Sequence, residues 1–151
     1  MSCARCGMRG TDVRLYLDTS VVVAAITREP HTGRAHGVLA RRGVDLVISD
    51  WTVTEVSAAL SMKQLMGAMQ EAEREIALRV FERLTRESLV QEHIVPADFA
   101  RAARLADRPG VPVRAGDALH LAVVERTRSV LATFDVAMAQ AAAEHGLDVL
   151  E

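Results

Sequence analysis

The chain has 151 residues, half of them apolar, and a formal net charge of −2, which suits one domain with a single hydrophobic core. No apolar run nears the ~20 residues a membrane crossing needs and the first dozen residues lack a secretory hydrophobic segment, so the sequence reads as a cytoplasmic protein. So weak a net charge supplies no long-range field for a polyanion; a nucleic-acid partner would need a local device such as a metal ion.

All basic residues but Lys63 are arginines, and Lys63 falls inside an amphipathic helical stretch, which argues against lysine-dependent catalysis. Tyr16, Trp51, Phe81, Phe99 and Phe134 are scattered, so no aromatic stacking platform is evident. Cys3 and Cys6 supply only half of a tetrahedral zinc site, and there is no second cysteine pair. Residues 1–13 read as a flexible tail and residues 14–151 as the folded domain.

In chain order, Leu15-Tyr16-Leu17, then Asp18-Thr19-Ser20, then an apolar run to Ile26 predict strand, turn and helix, with Pro30 ending the pattern. Asp18 then stands at the carboxyl end of a strand, where open α/β sheets bind ligands. Thr32 to Arg41 has helical spacing up to Gly43, and Val44 to Ile48 predicts a second strand. Ser49 and Asp50 are cap candidates for a helix over Trp51 to Met66, which Gly67 breaks. A helix over about Gln70 to Leu84 completes an αα-hairpin. Its stripe of Arg79, Arg83 and Arg86 is interleaved with Glu75 and Glu82, which favours a solvated, paired face over an RNA-contacting ridge.

Leu89 to Val95 predicts a third strand, and Pro96 with Asp98 opens a helix reaching towards Pro109-Gly110. Val113 to Val124 is apolar nearly all round apart from Asp117 and His120, so that helix must be buried. Ser129 to Phe134 predicts a strand followed by Asp135, Val136 to His145 a helix stopped by Gly146, and Leu147 to Leu150 a final strand. Strands alternating with helices predict a single α/β domain, a three-layer α/β/α sandwich around a central, mainly parallel sheet.

Four carboxylates stand among apolar neighbours. Asp18 and Asp135 each follow a strand, which sets both at one sheet edge. Glu55 shares a helix face with Ala58, Ala59 and Met62, and Asp117 shares one with Leu121 and Val124. An unpaired buried carboxylate costs several kcal/mol, so such groups are paired with cations or coordinate metals. Arg114, three residues before Asp117, is the only arginine near any of them in sequence. Hard, oxygen-seeking Mg²⁺ or Mn²⁺ fits this donor set, whereas zinc would want His and Cys ligands missing here. Each acid also has a local role open to it: Asp18 and Asp135 as helix caps, Thr52-x-x-Glu55 as a capping box, Asp117 as a first-turn acid. His120 reads as a core histidine bonded to a carbonyl.

Tyr16-Leu17-Asp18-Thr19-Ser20, the Glu55 helix, Gly116-Asp117-Ala118-Leu119-His120-Leu121-Ala122 and Ala132-Thr133-Phe134-Asp135 resemble, in order and spacing, the acidic motifs of the PIN domain family. The likeness runs from about Arg14 to the C-terminus and is nearest to the VapC-like toxins of type II toxin–antitoxin pairs. The tail before Arg14 lies outside it. The resemblance implies a PIN-like fold and an Mg²⁺- or Mn²⁺-dependent endoribonuclease. Its catalytic acids would be Asp18, Glu55, Asp117 and Asp135, the metal being held by Asp18, Asp117 and Asp135, with Ser20 and Thr133 as supporting hydroxyls. It further implies an RNA substrate, a small antitoxin partner and a homodimer. Arg114 is a candidate phosphate contact, the other reading being an ion pair with Asp117 or a surface Glu. Without the four acids the net charge of −2 becomes +2, no obstacle to RNA.

Other readings are a stand-alone PIN-type RNA-processing nuclease and a catalytically inactive PIN-like binding module. A receiver domain would need a lysine after a late strand. A dehalogenase-type phosphatase would need a second Asp where Ser20 stands.

Overall fold

The computed structural model describes residues 13–150. The first strand, β1, spans Val13–Leu17 and runs into helix α1, Thr19–Ile26. Then come α2 (Thr32–Leu39), β2 (Val44–Ser49) and the hairpin α3 (Asp50–Leu65) and α4 (Glu71–Ser88). The chain continues with β3 (Val90–Glu92), α5 (Pro96–Ala106), α6 (Ala115–Thr127), β4 (Val130–Ala132) and α7 (Val136–Glu144). Val13 is thus already part of a strand; Cys3 and Cys6, with the rest of the expected tail, lie outside the described residues.

The four strands form one parallel sheet in the order β3-β2-β1-β4. Strand residues alternate between its faces. Leu15, Leu17, Leu46 and Ile48 enter a core shared with α1, α2, α3 and α4. Tyr16, Val47 and Leu131 enter the opposite core with α5, α6 and α7. Two separate cores on one sheet make the three layers expected from the sequence. The parallel strands place the start of α1, the start of α3 and the loop into α7 along a single carboxyl edge, while α6 crosses behind β1.

Three expected strands are shorter than the sequence suggests, one being Ser129 to Phe134, which pairs only over Val130–Ala132. The stretch expected from Leu89 to Val95 forms a ladder only over Val90–Glu92, because Leu89 caps α4 and Ile94 turns to donate its N–H to Asp50 at 3.0 Å. Leu147 to Leu150 is reduced to one bridge, Val149 against Leu131, on the outer side of β4. Helix α6 starts at Ala115 rather than Val113, since Pro112 cannot donate and Arg114 is extended as the N-cap. Its residues Ala118 to Val124 are all buried, as their apolar character requires.

An ion pair closes the α5–α6 layer. Asp98, 2% exposed, accepts from Arg126 Nε at 2.7 Å and Nη2 at 3.1 Å, and from the Val95 N–H at 3.0 Å. The sequence places Asp98 in the first helical turn but does not reveal this partner. Asp98→Ala leaves the Val95 N–H without this partner and a half-stranded guanidinium that still reaches Glu92 at 3.5 Å. It should lower stability by about 1–2 kcal/mol, read as a fall in the urea midpoint at constant m-value.

Candidate functional site

Asp18 is the hub of the carboxyl edge. Its N–H bonds the Ala132 carbonyl of β4 at 3.0 Å, fixing its backbone between two strands. Its side chain caps α1 by accepting from the Ser20 N–H at 3.4 Å. The Ser20 and Thr133 hydroxyls both donate to Oδ2, at 2.7 and 2.8 Å, which leaves Oδ1 facing inward, 3.7 Å from His120 Nε2. Ser20 Oγ also accepts from the Phe134 N–H and Thr133 Oγ1 from the Asp135 N–H, so the loop into α7 is tied to the start of α1. Asp135 caps α7 by accepting from the Met138 N–H at 3.0 Å.

Glu55 comes from α3. The box that starts this helix is formed by Ser49 and Thr52, each accepting from the other's N–H, and not by Thr52 with Glu55. The buried line of α3 is Thr52, Val56 and Leu60, while Met62 is 52% exposed. Glu55 does share a face with Ala58, Ala59 and Met62, but that face borders the core stripe and is only partly buried, and Glu55 turns towards the sheet edge. Its Oε2 accepts from Thr19 at 2.6 Å and from His120 at 2.7 Å. Burial alone would raise its pKa; the bonds from His120 and Thr19 outweigh that and hold the carboxyl below its usual range.

His120 differs from the sequence expectation. It is fully buried, yet it bonds no carbonyl: Nδ1 lies 2.7 Å from the Tyr16 hydroxyl and Nε2 2.7 Å from Glu55. An ionised Glu55 only accepts, so Nε2 carries a proton and, in the neutral ring, Nδ1 accepts from Tyr16. Tyr16 is bonded in turn to Ser49, at 2.7 Å, and burial pushes its phenol far above the usual range, so it remains a donor. A buried chain thus runs from the α3 N-cap through Tyr16 and His120 to Glu55. Alternation along β1 puts Tyr16, unlike Leu15 and Leu17, on the α6 side, but the partnership across 104 residues has no local signal.

Asp18, Glu55 and His120 offer donor atoms within 4.8 Å of one another, a grouping suited to a metal ion. An imidazole is therefore present where the sequence suggested none, but both of its nitrogens are committed to hydrogen bonds. It acts here as a positioning group rather than a ligand.

Asp117, in the first turn of α6, and Asp135 line one cavity of about 520 Å³ together with Arg114 and Met138. Burial and the neighbouring charges of Asp135, Asp18 and Glu55 push the Asp117 pKa up, against a smaller opposing effect of His120. Asp117 therefore feels each of the other three acids. Among the described residues no arginine or lysine forms an ion pair with any of them, and Arg114, exposed at the cavity rim, does not pair with Asp117. Carboxylates without a guanidinium or ammonium partner are a donor set for a hard divalent cation; among the described residues the donor atoms within 4.8 Å of one another are those of Asp18, Glu55 and His120, while Asp117 and Asp135 line the adjoining cavity.

Gly116 closes the site from the α6 side. A Cβ there would lie 3.0 Å from Glu55 Oε1 and 3.3 Å from Trp51 Nε1. In Gly116→Ala the Glu55 carboxyl should give way by a few tenths of an ångström with little change in melting temperature, as read from a structure of the variant beside a thermal melt.

The PIN domain family matches residues 15–144. No curated protein matches the chain. Among solved structures it is similar to VapC20 of Mycobacterium tuberculosis, a sarcin–ricin loop-cleaving toxin, with 17% identity and a TM-score of 0.70 over 91% of this chain and 98% of that one. It is also similar to VapBC2 of Rickettsia felis bound to a promoter DNA fragment, with 17% identity and a TM-score of 0.66 over 92% and 98% of the two chains. PAE2754 of Pyrobaculum aerophilum aligns with 21% identity and a TM-score of 0.64 over 85% of this chain and 79% of that one. At these identities the likeness shows a shared fold.

Proposed function

The chain belongs to the PIN domain family, a family of nucleases, and on that premise we propose that it is an Mg²⁺- or Mn²⁺-dependent endoribonuclease, the toxin of a type II toxin–antitoxin pair. The observation that carries this reading is the set Asp18, Glu55, Asp117 and Asp135, none of them paired with an arginine or lysine among the described residues, with Asp117 raised by burial and by the charges of the other three. The VapBC complexes among its structural neighbours support the toxin assignment and an antitoxin partner; a homodimer is what the family resemblance implies. Among the described residues no helix is long and apolar enough to cross a membrane.

In this reading Asp18, Asp117 and Asp135 hold the cation. A divalent cation held there supplies positive charge against the negative charge that builds on the phosphodiester during in-line displacement. The chain's own groups organise that centre. Ser20 and Thr133 occupy Oδ2 of Asp18 and leave Oδ1 for the site. Thr19 and His120 hold Oε2 of Glu55, leaving Oε1 towards Gly116 and the substrate side. The raised Asp117 is the acid that gains most from a cation, because its charge is the least tolerated without one. Arg114, free of an ion pair among the described residues, is placed to bind a substrate phosphate.

Purified protein should cleave single-stranded RNA with Mg²⁺ or Mn²⁺, lose that activity fully in EDTA and recover it on adding back either ion, as followed on a gel. Cleavage undiminished by EDTA would overturn the metal-dependent reading.

A further inference from the structure

The loop Thr133–Asp135 has a second cavity beside it, distinct from the one that contains Asp117 and Asp135. It measures about 320 Å³ and is lined by Arg34, Gly37, Arg41, Thr133 and Phe134, among others. Thr133 belongs to both places: its hydroxyl donates to Asp18, while the residue itself forms a wall of the cavity. A group filling the cavity would therefore lie next to whatever occupies the acid site.

The lining has a definite chemistry. Arg34 and Arg41 are exposed, and neither forms an ion pair among the described residues. Arg34 is held instead over the Phe134 ring, with Cζ 5.0 Å from the centroid, and the other support of that ring is His31, also at 5.0 Å. Such a contact orients a guanidinium while leaving its donors free. Gly37 leaves open space where a Cβ would project. Two guanidinium forks at an open hollow suit a phosphodiester, and the volume falls in the small-ligand range of about 300–1,000 Å³.

Resting on the nuclease reading above, we propose that this cavity is a subsite for the phosphate adjacent to the scissile one in a single-stranded RNA. Arg114 stands on the Asp117–Asp135 side of the acids and the Arg34–Arg41 pair on the Thr133 side, so the strand crosses the acids between two cationic points. The arrangement compensates, at short range, for the chain's negative net charge.

The test measures the affinity of a fluorescent single-stranded RNA for the Asp117→Asn chain in Mg²⁺, with and without Arg34→Gln and Arg41→Gln, over a salt series. The double substitution should weaken binding at least 10-fold and flatten the log–log salt slope by about 0.7 for each phosphate that is no longer neutralised, with Arg34→Lys recovering part of the affinity. Both arginines are exposed, so the melting temperature reports on folding independently. Wild-type chain that cleaves no RNA overturns the nuclease reading itself. Wild-type cleavage combined with unchanged affinity and salt slope in the arginine variants overturns the subsite alone. Unchanged RNA affinity with lost binding of a poly-glutamate peptide would do the same and assign the cavity to an acidic protein segment.

Discussion

Asp117→Asn should lose RNA cleavage by about 10²–10³-fold and, at neutral pH without added metal, melt at a higher temperature than the wild-type chain. The two effects have one cause. Burial and the charges of Asp135, Asp18 and Glu55 raise the Asp117 pKa in the folded state above its unfolded value of about 3.9. The folded chain then binds more protons than the unfolded chain between those two values, so this group lowers stability as the pH rises through that window, and the loss persists above it. Asparagine removes the charge and the loss together. Each kcal/mol relieved is worth about 2–4 °C in a chain of this size, and the advantage should shrink below about pH 4. Saturating Mg²⁺ should raise the wild-type melting temperature and move the variant less, because a cation relieves the same repulsion. A variant that melts lower and still cleaves would show Asp117 to be an ordinary first-turn acid. Initial cleavage rates and melts at several pH values decide between these outcomes.

His120→Ala should cost about 3 kcal/mol of stability and most of the cleavage activity. The imidazole is fully buried between Tyr16 and Glu55, at 2.7 Å from each. Its removal takes one of the hydrogen bonds of the Tyr16 hydroxyl, which keeps Ser49, and one of those of Glu55, which keeps Thr19, and opens a cavity beside β1 that adds to the loss. Tyr16→Phe is the gentler companion: Ser49 and His120 each lose one partner but Glu55 keeps its bond. The phenylalanine variant should therefore lose stability while retaining far more activity than the alanine variant. Equal activity losses in both would mean that the chain of bonds matters only for folding and not for aiming Glu55. Urea denaturation and kcat measured side by side separate the two roles.

Local signals in the sequence carried the layers and much of the edge. The apolar run ending in Asp18-Thr19-Ser20 located β1, its cap and the hydroxyl of Ser20, and the all-round apolar Ala118–Val124 stretch required a buried helix. What was hidden was convergence. Asp18 and Asp135 are helix caps and also members of the acidic group, so a local pattern that explains them as caps is true and incomplete. The pairing of Tyr16 with His120 depends on strand alternation at one end of the chain meeting helix phase at the other. The Asp98–Arg126 pair likewise spans two helices. Short edge strands were overestimated because a run of apolar residues does not show whether a partner strand continues beside it, as with Leu147 to Leu150 against β4.

If Asp18, Glu55, Asp117 and Asp135 act together on one divalent cation, the chain must bind that cation whether or not RNA is present. Titration of the metal-free chain with Mn²⁺, followed by the loss of the free-ion electron paramagnetic resonance signal, measures this without reference to any substrate. Saturable binding is expected in the wild-type chain, weakened at least 10-fold in Asp18→Asn and in Asp117→Asn alike. Binding of the same strength in both variants and the wild type would contradict a shared site.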